Sequence, residues 1–299
     1  MRILILSRRK RLYSTRRLVE EARRLGHEVD VLDPLRCVLQ ISTGTPQLLH
    51  GTREVKGMDV VIPRISTFAT AYLLAVVRQL EWLGVPSVND HGSIARARNK
   101  LGCLQLLASR GVRVPDTLIS RYPRNMDRLL ERLGGTPVIL KLLRGTQGTG
   151  VIFAESQASV ESMLETIWSL GEDIMLQRFV AESKGRDVRA LVIDGKVRSS
   201  MRRVAREGEF RSNIHRGGVG ESIRLPKEFE RAALSATEAV GLRLAGVDIL
   251  ESSDGPQVIE VNSSPGFQGL EAATGENVAR MIVEFAAKTA RKARSAGRR

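Results

Sequence analysis

Cysteine is nearly absent from this chain. Cys37 and Cys103 are the only two in 299 residues. They show no metal-ligand spacing and no small secreted framework around them, which excludes a disulfide scaffold and a thiolate zinc site and leaves free thiols in a reducing compartment as the expectation. Aromatic residues are equally sparse, at 4%, and none interleaves with basic residues on a strand as nucleic-acid readers require; helix-turn-helix and zinc-finger patterns are missing too. No apolar run approaches about 20 residues, the length that spans a bilayer. The opening Met1-Arg2-Ile3-Leu4-Ile5-Leu6-Ser7 is too short for a signal segment and runs into Arg8-Arg9-Lys10-Arg11 instead of a small-residue cleavage site. A cytoplasmic protein with no membrane partner is expected. Two nucleotide fingerprints are also lacking. No Gly-x-Gly-x-x-Gly follows the first strand and no Gly-x-x-x-x-Gly-Lys-Ser/Thr opens a helix, so neither a dinucleotide site nor a P-loop is supported.

Acidic residues are outnumbered, 33 against 47 basic ones, for a net charge of +14. Such an excess permits an anionic partner. The basic residues are dispersed, with clusters only at Arg8 to Arg11, Arg16-Arg17, Arg96 to Lys100, Arg202-Arg203 and Lys288 to Arg299, a distribution that reads as solvated faces and not as a specific nucleic-acid site. The last residues, 289–299, are expected to be disordered. The length suggests about two domains, and a mean hydropathy of -0.13 with 42% hydrophobic residues is ordinary for a globular chain.

The first ninety residues alternate strand and helix. Ile3 to Leu6 reads as a buried strand, Thr15 to Leu25 as a helix ending at Gly26, His27 to Leu32 as a strand, and Val60 to Ile62 and Pro86 to Val88 as further strands around an apolar helix, Ala71 to Leu83. That pattern predicts a small α/β domain with a mostly parallel sheet. Ile94 to Ser109 then reads as one basic amphipathic helix closed by Gly111.

Beyond it, Pro137 to Lys141 and Val151 to Phe153 bracket Arg144-Gly145-Thr146-Gln147-Gly148-Thr149-Gly150. Glycines at 145, 148 and 150 let backbone N–H groups approach phosphate oxygens, and Lys141 supplies a point charge. The same spacing also suits a plain turn between strands. Asp173 to Val180 reads as a strand leading to a hinge, and Asp194-Gly195 turns a hairpin that starts near Arg186. Phe210-Arg211-Ser212-Asn213-Ile214-His215-Arg216-Gly217-Gly218 is a basic, polar loop suited to surrounding a charged phosphate.

The most informative stretch is Val247-Asp248-Ile249-Leu250, the turn Ser252-Ser253-Asp254-Gly255, and Gln257-Val258-Ile259-Glu260-Val261-Asn262. A hairpin places Asp248 near Glu260, six residues either side of Asp254, with Glu260 and Asn262 on one face and Ile259 and Val261 on the buried one. Two carboxylates and an amide oxygen are hard donors suited to Mg²⁺ or Mn²⁺, completed by water and phosphate oxygens. The alternative is that both carboxylates are ordinary solvent-facing strand positions.

Lys100, Lys141 with its glycine loop, Gln177-Arg178-Phe179-Val180, Asp187, Arg211-Ser212-Asn213, and Asp248, Glu260 and Asn262 occur in the order expected of ATP-grasp carboxylate-amine ligases. Over almost the whole length the chain resembles the RimK family of that superfamily, most specifically at Phe210 to Gly218. The resemblance implies an α/β fold, α+β in the lid: a Rossmann-like pre-ATP-grasp domain (1–94), a linker helix and lid (95–185) and a metal-bearing subdomain (186–288). It implies ATP as substrate, held by Lys100, Lys141, Gly145, Gly148, Gly150, Gln177, Arg178, Phe179, Val180, Asp187, Arg211, Ser212 and Asn213. Two Mg²⁺ or Mn²⁺ ions at Asp248, Glu260 and Asn262 are expected with it, and Arg211 is assigned the catalytic role at the transferred phosphoryl. It further implies glutamate as donor, the C-terminus of a small-subunit ribosomal protein as acceptor, and a homo-oligomer, with no specific nucleic acid. Arg178 departs from the pattern, which has glutamate after the glutamine. Two other readings stay open: an ATP-grasp ligase acting on a small peptide or cofactor, and a non-catalytic basic ATP- or RNA-binding protein.

Overall fold

A computed structural model describes residues 1–65, 70–120, 125–142, 151–169, 174–206 and 218–296. The expected first domain forms as a three-stranded parallel sheet in the order β2 (Glu28–Leu32), β1 (Arg2–Leu6), β6 (Val60–Pro63). Strand alternation decides what each face packs against. Leu4, Leu6 and Val61 point to α2 (Thr70–Trp82), joining Leu73, Val76, Val77 and Leu80. Ile3, Ile5 and Ile62 point the other way, to α1 (Tyr13–Arg24) and α9 (Val278–Ala296), joining Leu18, Ala22, Ile282, Val283 and Ala286. The strand expected at Pro86 to Val88 is only a single bridge, Val61 to Ser87. A meander of three short strands, β3 (Cys37–Gln40), β4 (Gln47–His50) and β5 (Arg53–Glu54), had no sequence signal.

Two expectations are corrected here. The helix read as Ile94 to Ser109 is two, α3 (His91–Arg98) and α4 (Lys100–Ser109). Asn99 between them has extended backbone, and its side chain accepts from Gly102 N–H at 2.9 Å, so a cap interrupts what periodicity alone would have continued. The tail is not disordered through residue 296, because α9 reaches that far with Thr289 and Ala290 buried. It covers the first-domain sheet, although it follows the metal-bearing subdomain in sequence.

The lid is an antiparallel sheet in the order β7 (Thr117–Ser120), β10 (Ile174–Arg178), β8 (Val138–Leu142), β9 (Val151–Ala154), covered by α5 (Met126–Arg132) and α6 (Gln157–Ser169). Its core is drawn from its own residues, among them Leu130, Val138, Leu140, Val160, Leu164, Ile174 and Leu176. The largest sheet runs β13 (Val219–Ser222), β12 (Lys196–Val204), β11 (Arg186–Ile193), β14 (Leu244–Leu250), β15 (Gln257–Asn262), all antiparallel. Val188, Ala190, Val192, Val247, Ile249 and Val261 face α7 (Lys227–Val240) on one side. On the other, Leu191, Ile193, Met201 and Leu244 pack on α8 (Gln268–Thr274) and α9, which cover only one end of that face. The end that neither α8 nor α9 covers carries the site.

The first domain and the large sheet share this core and are also pinned by Asn89. Its Nδ2 donates to Leu244 O at 2.7 Å and Ser263 O at 3.0 Å, and its Oδ1 accepts from Arg243 N at 2.9 Å and Leu244 N at 3.0 Å. A buried amide with all its bonds satisfied fixes one geometry.

Candidate active site

Both hairpins that build the site turn where the sequence says they should. Asp194 and Gly195 have φ of 51° and 72°, the left-handed pair that a two-residue turn between twisted strands requires. Gly255, with φ 98°, turns the second. Register then brings the charged residues to one face. Asp187 lies opposite Arg203, Arg189 opposite Asp248, Asp248 opposite Glu260, and Asn262 opposite Gly246. A row of charges thus runs across four strands. At its foot the β14 backbone meets the turn after Asn262 so closely that a Cβ on Gly246 would lie 2.7 Å from Pro265 Cβ.

The expected convergence of Asp248, Glu260 and Asn262 holds. One detail does not: a bulge between Asp248 and Ile249 pairs Ile249 with Val258, so Val258 and Val261 are buried and Ile259 is only partly so. Nor are the two carboxylates equivalent. Glu260 is exposed, whereas Asp248 is buried. Asp248 Oδ1 accepts from Arg189 Nε at 2.7 Å; Oδ2 accepts from Arg189 Nη2 at 2.6 Å and lies 3.1 Å from Arg203 Nη2. Burial pushes the Asp248 carboxyl up, but Arg189 and Arg203 outweigh it and hold it below the ordinary carboxylate range. A carboxylate has about four lone-pair positions, so acceptor capacity remains on Oδ1.

The donor set fits a hard divalent cation: carboxylate, carboxylate and amide, all oxygen donors. Asn262 supports this. Its Nδ2 is shut off from solvent and has no hydrogen-bond partner among the described residues, an arrangement that costs about 1–3 kcal/mol and is understandable where the oxygen's placement matters more.

Asp187 is also buried, and its oxygens accept from Arg203 Nε at 2.5 Å and Nη2 at 2.6 Å. Its position in the row makes it the support of Arg203, which it shares with Asp248 as a guanidinium bridge. Arg189 and Arg203 were not candidates from sequence. The available signal was the alternation Asp187-x-Arg189 on a strand whose partner hairpin arm carries Arg202-Arg203.

Lys141 approaches from the lid. It ends β8 and donates from Nζ to Gln177 Oε1 at 2.6 Å, while Gln177 Nε2 donates to Thr117 Oγ1 at 2.9 Å. Gln177 is buried with both polar ends engaged, so it orients the lysine. Desolvation brings the Lys141 ammonium down to about 8; Glu260 opposes that and Lys100 adds to it. The three charges therefore sense one another across the cleft between lid and large sheet. Lys100 sits in the first turn of α4, behind the Asn99 cap.

The expected hinge follows β10. Arg178 N–H bonds Asp116 O at 2.8 Å, and its exposed guanidinium lies 3.7 Å from the Asp116 carboxylate. Phe179 packs on Phe153 with ring centroids 4.8 Å apart, and Val180 is buried. Gly145, Gly148, Gly150, Arg211, Ser212 and Asn213 lie outside the described residues.

Comparison with known proteins identifies the family. The RimK PreATP-grasp domain model matches residues 1–94 and the RimK-like ATP-grasp domain model residues 97–286. A probable alpha-L-glutamate ligase of Marinomonas sp. (strain MWYL1) is 48% identical over 290 residues, covering 97% of this chain and 96% of the relative. That of Marinobacter nauticus is 49% identical over 288 residues, covering 96% of each. Among solved structures, ATP-grasp ligase PsnB complexed with its minimal precursor superposes with a TM-score of 0.76 at 23% identity, over 96% of this chain and 98% of that one. D-alanine--D-alanine ligase from Bacillus anthracis complexed with ATP gives 0.70 at 20% identity, over 99% of each. At those identities the structures speak for the fold alone. The matched domains cover nearly the whole chain, which therefore belongs to the RimK family of ATP-grasp enzymes, carboxylate-amine ligases.

Proposed function

We propose that this protein uses ATP to join the α-amine of glutamate to a peptide C-terminal carboxylate, with the C-terminus of a small-subunit ribosomal protein as acceptor. The observation that carries the reading is the meeting of Lys141 from the lid with Glu260 and the Asp248 row of the large sheet. Relatives nearly half identical over the full length bear the name probable alpha-L-glutamate ligase, which favours glutamate as donor.

A carboxylate does not react with an amine in water because its oxygen is a poor leaving group. In the proposed sequence an acceptor carboxylate oxygen attacks the γ-phosphorus of ATP and ADP departs. The neutral amine of glutamate then attacks the acyl carbon, phosphate leaves with the bonding electron pair, and the amine's proton passes to solvent. Lys141, still protonated at pH 7 with its ammonium at about 8, holds phosphate oxygens from the lid side, with Lys100 beside it. Asp248, Glu260 and Asn262 would hold two Mg²⁺ or Mn²⁺ ions, which supply charge neutralisation at the phosphates when bound. Arg203 is buffered between Asp187 and Asp248 and so keeps the row rigid. Arg211 is assigned to the transferred phosphoryl group and the tetrahedral oxyanion. The reading includes a homo-oligomer, which light scattering decides.

The test is ADP release measured with glutamate, Mg²⁺ and a purified small-subunit ribosomal protein, followed by mass spectrometry of that protein. Added glutamate residues at its C-terminus are expected. Release that requires a small peptide or cofactor in its place would move the acceptor to that class, and release independent of glutamate would reject the donor.

A further inference from the structure

Arg64 follows β6 at the carboxyl end of the parallel sheet, where α/β sheets bind their ligands. Its Nη2 donates to Ser14 Oγ at 3.1 Å, in the first turn of α1, and its guanidinium carbon lies 5.9 Å from the ring centroid of Phe267. Nη1 is shut off from solvent and has no hydrogen-bond partner among the described residues. No carboxylate among the described residues offsets this charge; burial alone acts on it and brings the guanidinium down to about 10.

The neighbourhood makes that absence informative. Arg17, on the same helix as Ser14, is matched by Glu20, Glu21 and Glu271 at 3.2–3.3 Å, so the scaffold supplies acid where a guanidinium serves packing. Arg98 lies behind the end of β6, donating from Nη2 to Ile65 O, and its Nε is likewise sealed and has no partner among the described residues. Ser264, two residues past Asn262, donates to Pro63 O at 3.1 Å, which puts this pair against the turn that leaves the metal residues. Arg64 is half-buried, and a charge drawn away from solvent without its counter-ion is costly in the free protein. The missing anion is one that a ligand delivers.

We propose that Arg64, with Ser14 beside it and Arg98 behind it, binds an unreacted carboxylate of the amino-acid donor. The assignment rests on the glutamate-ligase reading. The donor is favoured over the acceptor because the acceptor carboxylate has to reach phosphate held by Lys141 and the large sheet. Arg64 lies beyond that point, on the first domain. The donor brings two carboxylates that must be neutralised without being activated, and a guanidinium carried on the first domain, outside the metal set, does that.

Steady-state ADP release by Arg64→Met and Arg64→Lys tests the idea, alongside thermal melting of both. Arg64→Met is expected to raise the KM for glutamate roughly 10- to 100-fold, the worth of a charge-assisted hydrogen bond, with Arg64→Lys between it and the unsubstituted protein. The KM for ATP should stay within about twofold, and the melting temperature of Arg64→Met should be unchanged or higher because an unpaired buried charge is gone. An unchanged glutamate KM overturns the subsite while leaving the ligase reading intact. A rise confined to the acceptor KM overturns the donor assignment. A lower melting temperature with all KM values moving together makes Arg64 structural and overturns it too. Absence of glutamate-dependent release in the unsubstituted protein rejects the functional reading itself, and this subsite with it.

Discussion

Replacing Lys141 with methionine should make the free protein more stable while removing its grip on nucleotide. The ammonium is brought from an ordinary 10.5 to about 8, chiefly by desolvation. At about 1.36 kcal/mol per pK unit, the difference of 2.5 corresponds to roughly 3 kcal/mol of destabilisation carried by the charged form. Methionine keeps the length and the apolar stem, and the lost hydrogen bond from Nζ to Gln177 Oε1 offsets about 1 kcal/mol. A net gain of about 1–3 kcal/mol at pH 7 is expected. Its pH dependence has a definite sign. Between pH 8 and 10.5 the unfolded chain binds the lysine proton and the folded one does not, so the unsubstituted protein gains stability as pH rises through that window. The advantage of Lys141→Met is therefore full below pH 8 and fades toward 10.5. Urea unfolding of both proteins at pH 7 and pH 9.5, with calorimetric ATP titration at pH 7, measures this. A variant that is less stable at pH 7, or an advantage that stays constant with pH, refutes the argument that Lys141 is held in a desolvated site for phosphate. So does unchanged ATP affinity.

The two candidate metal carboxylates should part company in stability. Asp248→Asn leaves Arg189 without its acid and is expected to cost about 3 kcal/mol in urea unfolding, whereas exposed Glu260→Gln should stay within about 0.5 kcal/mol; both should lose Mg²⁺-dependent ADP release, and normal turnover in Glu260→Gln would remove it from the metal set. Arg178→Glu should shift ATP affinity by less than about threefold, because the side chain is exposed beside Asp116 and rim charges contribute little; a tenfold change by calorimetry would give the side chain a role at the hinge. Truncation after Lys288 removes buried Thr289 and Ala290 and the Arg294 to Asp59 pair, and should lower stability by about 1–2 kcal/mol, seen as a drop in melting temperature that a disordered tail would not produce.

Much of the site is legible because hairpin geometry is local. Asp254-Gly255 names the turn, and counting six residues either way pairs Asp248 with Glu260. The same count fails one step on, since a bulge is an extra residue with no signature of its own, and Val258 takes the buried place that alternation gives to Ile259. The Asp194-Gly195 hairpin shows it more sharply. Counting from Ile193 opposite Lys196 pairs Asp187 with Arg202; the register shift between Leu191 and Val192 substitutes Arg203 and so flips which arginine faces the site. Arg202 instead pairs with Glu251 at 2.7 Å. Asn99 escapes because an asparagine between Arg98 and Lys100 reads as one more polar position of an amphipathic helix until its cap bond is seen. The basic tail misleads for another reason. Arg291, Lys292 and Arg294 are exposed as their charge suggests, but the small residues between charges, such as Ala286, Ala287 and Ala290, are what α9 buries, and an alanine stripe carries little periodic signal.

That last helix bears on how the molecule is made. Ile3, Ile5 and Ile62 leave the ribosome long before Ile282, Val283 and Ala286, which cover them. On a nascent chain the first domain has α2 on one face of its sheet and only α1 on the other. The lid, whose core lies between Leu118 and Leu176, has all its partners much earlier. Synthesis order and folding order are thus inverted: the first-domain sheet is made before the lid but sealed after it, and a translation product interrupted before α9 would expose an apolar sheet face however well its lid had formed.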